Sequence, residues 1–349
     1  MPTVPKYWDS FQNYNVADDL DSKLGVSGTA FTPESDRSRT GGRALHFGGN
    51  ASVSGDPSFT VNVPSSAHVV VNFWWHIGAH QGVLDRAVLD FRVGTSLTAR
   101  LTCRDTRIQL QRGTTTVATS ATAPPVGPQY WEVVYYSHAT TGYFVLYIDG
   151  VEFVRFDGDT VGESGGVDSV RIRSGTSSTV FNSNRWTMDD LVVAVVEGGD
   201  VGGPVGDVRL GAVNHSVLVP TGDVTANGTP SAGSDNFAMM DDLPNDGDTT
   251  HVEWAAPGNK DVYSITGSLP EGTVPIGVKV STIQRLPTGG TTQVRQLLDD
   301  GSSEVQGPDQ GVGENYAAQS HSWSESPFTS DPWTKAEVEG LRFGLEARA

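Results

Sequence analysis

Residues 130–156 read YWEVVYYSHATTGYFVLYIDGVEFVRF. Trp131, Val133 and Tyr135 alternate with Glu132, Val134 and Tyr136, the period of two that a strand imposes. The mostly large side chains in both sets predict a strand covered on both faces. A Ser-His-Ala-Thr-Thr-Gly turn leads into Tyr143 to Ile148, rich in aromatic and β-branched residues. Asp149-Gly150 then supplies the two positive-φ positions of a type I′ hairpin before Val151 to Phe156. The stretch predicts three antiparallel strands in succession and no helix.

Working outward, 349 residues exceed what one hydrophobic core usually organises, so two domains are expected. With 41 Gly, 19 Pro and almost no apolar residues at helical spacing, the fold class is all-β with many short strands. Net charge is −18 and uneven: residues 1–199 carry 20 acidic and 15 basic side chains, net −5, and residues 200–349 carry 21 and 8, net −13. This balance argues against partners that need clustered Lys and Arg, namely nucleic acid and anionic membranes. The single cysteine, Cys103, excludes an intrachain disulfide framework and reads as a buried strand residue. No Cys/His cluster has zinc spacing. The N-terminus has no apolar signal segment, and the longest pure apolar run, Leu191 to Val196, is too short to span a bilayer; synthesis in the cytoplasm without a secretion signal is expected.

Taken in order, Tyr7, Trp8, Phe11 and Tyr14 form an aromatic entry segment, with Asp18 to Lys23 as a helical turn. Strand-like runs bounded by Gly and Ser follow at 41–55, 65–79, 84–94, 96–113 and 114–122, at the spacing of a β-sandwich. After the central hairpins come 167–175 and 184–199. Residues 198–206, GGDVGGPVG, hold five glycines and a proline and read as a linker. Beyond it DVRLGAVNHSVLVP, DTTHVEWAA, KDVYSITGSL, IGVKVSTIQRL and TQVRQLLDDG alternate as strands of a second sandwich. The one helix is expected over Thr334 to Leu341, where Thr334 and Glu337 form a capping box, and Arg342 to Arg348 alternates as a final strand. The domains are therefore 1–197, a linker at 198–206, and 207–349.

The Gly-Gly-x-Ala-Leu entry strand, the VxFWW strand, the Tyr-Ile-Asp-Gly-Val hairpin and the closing Met-Asp-Asp-Leu-Val-Val together resemble the concanavalin A-like, laminin G-type jelly roll. The opening YWDSFQNYN resembles the start of tailed-bacteriophage proteins with lectin-like N-terminal domains. DVRL, TPSAGSDNFAMMDDLPNDGDTTHV, DVYSITGSLP and DPWTKAEVEGLRFGLEAR resemble a module of phage structural proteins. These resemblances imply a concanavalin A-like jelly roll followed by a smaller β-sandwich, displayed on a virion.

The jelly-roll superfamily includes glucanases with E-x-D-x-x-E, which sets acid and nucleophile on one strand face. The chain lacks it. Asp85 and Asp90, five apart, would face opposite sides, and no G-x-S-x-G, H-E-x-x-H or Walker loop is present. Catalysis is not expected. Laminin G-type domains often hold calcium, for which Asp189 and Asp190 are the candidate ligands. Adjacent strand residues point to opposite faces, so only a bulge would let both reach one ion. The string DDLPNDGDTT (241–250) fails the calcium-loop pattern at Pro244 and reads as an acidic turn. For glycan contact or a subunit interface the candidates are Trp74, Trp75, Tyr135, Tyr143 and Tyr147, since rings stack on sugar faces, with half of such alternating residues necessarily in the core.

The sequence thus predicts a non-enzymatic, cofactor-free phage virion protein of the tail or its fibres. It self-associates and contacts other virion proteins, with a host-surface glycan as a candidate further partner, and avoids nucleic acid and membrane insertion. The alternatives are a capsid-surface decoration or head-fibre protein, and a glycan hydrolase or soluble lectin.

Overall fold

The computed structural model describes residues 3–9, 11, 31–34, 39, 44–47, 58–77, 86–104, 106–162, 166–173, 186–196, 209–213, 215–241, 246, 248–286 and 293–349. The helical turn expected at Asp18 to Lys23, Asp85, the 198–206 linker and part of the 241–250 turn lie outside these residues. In chain order the first half contributes β1 (Thr3–Asp9), β2 (Phe31–Glu34), β3 (Ala44–Phe47), β4 (Ser58–Ser66), β5 (His68–Ile77), β6 (Arg86–Val93), β7 (Ser96–Arg104), β8 (Arg107–Arg112), β9 (Thr115–Thr119), β10 (Gly127–Tyr136), β11 (Gly142–Ile148), β12 (Val151–Gly158), β13 (Val167–Arg173) and β14 (Trp186–Val196).

These strands make two sheets of a jelly-roll sandwich. Sheet A has the order β12-β11-β10-β5-β14-β3-β2, with β1 also on β14; sheet B has the order β4-β13-β6-β7-β8-β9. Strands β5 and β10 pair from Gly127↔Ile77 to Tyr136↔His68, which puts Phe73 beside Trp131, Val71 beside Val133 and Val69 beside Tyr135 on one face. Phe91 of β6 stacks on Tyr135 with centroids 5.0 Å apart, joining the two sheets through one aromatic layer. Two buried polar atoms of that layer find partners: Trp131 Nε1 donates to Gln129 Oε1 at 2.9 Å, and the Tyr135 hydroxyl donates to Thr160 O at 2.7 Å. The Asp149-Gly150 turn has φ values of 50° and 81°, as its sequence predicts.

Strand β14 carries an irregularity with a structural cause. One of its edges is served by two strands end to end, Trp186 to Met188 by β3 and Leu191 to Val196 by β1. At the junction the register with β5 shifts between Asp189 and Val192, and Asp190 takes φ 50°, a conformation aspartate tolerates.

The chain divides into two compact units, Met1–His215 and Ser216–Ala349. The break falls later than the one expected from the Gly-rich stretch, because Arg209, Leu210, Gly211, Val213 and His215 are held by side chains of sheet A. The second unit has β15 (Pro220–Thr225), β16 (Thr229–Pro230), β17 (Val252–Glu253), β18 (Lys260–Ile265), β19 (Val278–Gln284), β20 (Gln293–Asp299), β21 (Glu304–Gln306), β22 (Gln310–Gly311), β23 (Ala317–Trp323) and β24 (Arg342–Arg348), with one helix, α1 (Lys335–Gly340), before β24. The sheet β15-β18-β24-β20-β21, with β22 also on β20, packs on the β19-β23 pair and α1 through Leu298, Val280, Trp323, Trp333, Val338 and Leu341. The Thr334–Glu337 capping box forms in full.

Trp131→Ala removes a fully buried indole ring of the first core and leaves Gln129 Oε1 without its donor. The expected cost is about 3–5 kcal/mol, read as a lower urea midpoint for the first unit.

Candidate functional site

Parity within sheet A sorts the aromatic candidates. Trp75 and Tyr135 share the inner face with Phe73 and Trp131 and are fully buried in the core, so neither is a surface residue. Tyr143 and Tyr147 lie on the outer face, yet they are only 3% and 5% exposed. Tyr143 bonds His68 Nε2 at 3.0 Å beneath the Arg155 guanidinium, and Tyr147 lies 3.9 Å under Arg209. Trp74 is half-buried on the outer face, edge-on to His76 at 5.8 Å. The expected aromatic platform on sheet A therefore reduces to one partly accessible ring.

What closes this face is the segment from Arg209 to Val213, with His215. The Glu132 carboxylate accepts Leu210 N at 2.6 Å and Gly211 N at 3.0 Å through Oε1, and Arg209 Nε at 2.7 Å through Oε2. Asn72 Nδ2 donates to Gly211 O at 2.5 Å, and the Tyr130 hydroxyl both accepts from Val213 N and donates to Val213 O. Burial, then the charge of Asp190, pushes the Tyr130 phenol above its usual range, so it stays a protonated donor.

Asp189 and Asp190 sit at the junction bulge, both inaccessible to solvent. Asp189 accepts Asp190 N and Arg39 N; Asp190 accepts an Arg39 guanidinium N–H at 2.7 Å and both His215 N and Nδ1. All four carboxylate oxygens are thus engaged, one by a cation. The pair does not fit a calcium site, and among the described residues no group of three or more His, Cys, Asp or Glu could hold a metal.

Sheet B presents the opposite character. Its inner face carries Phe59, Ile172, Leu89, Leu101 and Leu110 in register. The outward row crossing all six strands reads Thr60, Arg171, Asp90, Arg100, Gln111 and Thr116. Beside it runs a second row of Asn62, Ser169 and Arg92. Six strands set about 4.8 Å apart make this strip roughly 24 Å long. Asp90, the one acid in the row, is 1% exposed and holds Arg100 through two bonds of 2.6 and 3.0 Å and Arg173 through a third of 3.0 Å. Arg171 Nε donates to Ser58 Oγ at 2.8 Å. Asp90 thus fixes the direction of both arginines, and its carboxylate engages two of the five Arg100 N–H donors. The sequence signal for this face is arginine at alternate strand positions, in VRIR, DFRV and TARL.

The fold and the two faces define an all-β jelly-roll protein. No protein-family model matches the chain, and no curated protein matches it. Among solved structures it is similar to an endo-β-1,4-glucuronan lyase from the fungus Trichoderma reesei, at 11% identity and TM-score 0.41 over 55% of this chain and 96% of that one. It is similar to a Bacillus subtilis protein of unknown function with a galectin-like fold, at 15% identity and TM-score 0.37 over 55% and 97%, and to the Caenorhabditis elegans galectin LEC-6, at 12% and 0.27 over 38% and 88%. Alginate lyases are also similar to it. The expectation that the chain is not an enzyme is corrected on this finding. That expectation rested on the absence of hydrolase, nucleophile-elbow, metalloprotease and phosphate-loop motifs alone.

Burial, then the charge of Asp190, raises the Asp189 carboxyl to about 8. A folded-state value above the unfolded one of about 3.9 means that the group's contribution to stability is complete below roughly pH 4 and is lost as pH rises toward 8. Asp189→Asn, which cannot ionise, is expected to gain stability relative to the parent as pH is raised between roughly 5 and 8. Paired denaturant titrations at several pH values check it.

Proposed function

We propose that the first unit receives an acidic polysaccharide on the outer face of sheet B. The observation that carries this reading is the Asp90-anchored arginine row in a chain of net charge −18. Guanidinium groups on a rigid sheet suit carboxylates or sulfates spaced along an extended chain, and the flanking Thr60, Asn62, Gln111 and Thr116 suit sugar hydroxyls. The rest of the molecule repels polyanions, which favours a ligand read at one face over nucleic acid, whose binding needs a broad basic surface.

The setting is proposed from sequence resemblance alone. The YWDSFQNYN opening and the modules of residues 207–349 support a phage virion component of the tail, its fibres or the capsid surface, present in several copies beside other virion proteins and contacting host-surface glycans. Labelling of particles with an antibody against the chain tests it.

Arg100→Ala is expected to weaken binding of a uronate polysaccharide by about 10–100-fold, the equivalent of one charge-assisted bond. Binding by the parent should weaken as salt rises. Calorimetry with matched acidic and neutral polysaccharides reads both effects, and equal binding of the two polysaccharides would remove the arginines from recognition. Ultraviolet absorbance of the same mixtures detects unsaturated uronate ends, which would add elimination to binding.

A further inference from the structure

The contacts that close sheet A share one property: they read main chain. Glu132 takes two successive backbone N–H groups, Asn72 gives to the carbonyl between them and Val213, and Tyr130 takes and gives to a single residue. The side-chain contributions of the segment are few: Arg209 on Glu132 and Tyr147, Leu210 against the Val70–Val134–Tyr147 cluster, and His215 on Asp190. We propose that the outer face of sheet A is a receptor for an irregular polypeptide segment that turns at Gly211, filled in one chain by its own Arg209–Val213 and His215 and open to the same segment of a second copy.

The covalent geometry permits the exchange. From the end of β14 at Val196 to Arg209 there are thirteen Cα steps, a reach of at most roughly 45 Å. On the sheet itself Val192 is level with Asn72, and Asn72 with Glu132, so Val196 stands four residues and two strands from the anchor, or roughly 17 Å. The connection is more than twice as long as its own docking needs. The docked contacts are identical in either copy, and what favours the intramolecular form is the effective concentration of a tethered segment, on the order of millimolar. Copies held together at such density would exchange segments without forming any new kind of contact.

Deleting residues 198–207 leaves three Cα steps, at most about 11 Å, too short for a chain to fill its own face. The full chain with this deletion is expected to run as a larger species than the parent in sedimentation at micromolar concentration, the parent filling its own face there. Adding Glu132→Ala and Arg209→Ala should return it to monomer. A monomeric deletion variant, or a dimer that survives the two substitutions, overturns the proposal. Where the deletion variant does not fold, the intact chain decides. Heavy- and light-isotope copies mixed near millimolar concentration should give mixed dimers in native mass spectrometry, which the doubly substituted chain does not give; absence of mixed dimers from the intact chain overturns the proposal.

Discussion

The first unit depends on a single carboxylate. Glu132 lies in the middle of sheet A, is 2% exposed, and would be costly to bury without partners. Two backbone N–H groups and the Arg209 guanidinium supply those partners, and in doing so they draw the chain across the sheet. A two-layer sandwich has four faces. The core uses the two inner ones, Glu132 and its segment close the third, and the outer face of sheet B is what is left for a ligand. The proposal of recognition on sheet B rests on this difference in burial.

The second unit is organised by a comparable device. Asp261, inaccessible to solvent, accepts Asn227 N and Gly228 N through one oxygen and Asn236 Nδ2 and the Tyr263 hydroxyl through the other. Desolvation of Tyr263, then the charge of Asp261, raises that phenol above its usual range and keeps it a donor. Gly344 lies against the Asp261 carbonyl, where an added Cβ would come within 2.5 Å of the oxygen, so the neighbouring strand β24 needs glycine at that position. Each unit therefore ties a long irregular segment to a sheet with one buried acid.

The sequence made local features legible because their physics is local. Period-two alternation located most of the strands, Asp149-Gly150 located the hairpin, and Thr334 with Glu337 located the helix start. Parity also told that half of Trp74, Trp75, Tyr135, Tyr143 and Tyr147 would be core. It could not tell which face is closed from outside, because that depends on Glu132 meeting Leu210, 78 residues away. For the same reason DVRLGAVNHSVLVP reads as a strand, although the main chain of Leu210, Gly211 and Val213 is bonded by side chains of a distant sheet. The bulge at Asp190 has no local signal either, since it arises where β1 and β3 meet along β14. The arginine row was visible as alternation in three separate strands, but only strand pairing brings Arg171, Asp90 and Arg100 side by side.

The central claim is that sheet B, and not the aromatic sheet A, receives the ligand. Backbone amide shifts followed during titration with a short uronate oligosaccharide test it most directly. The account predicts that the largest changes fall on β13, β6, β7 and β8, at Arg171, Asp90, Arg100 and Gln111. Changes centred on Trp74, His76 and Tyr130, or on residues beyond Ser216, would contradict it.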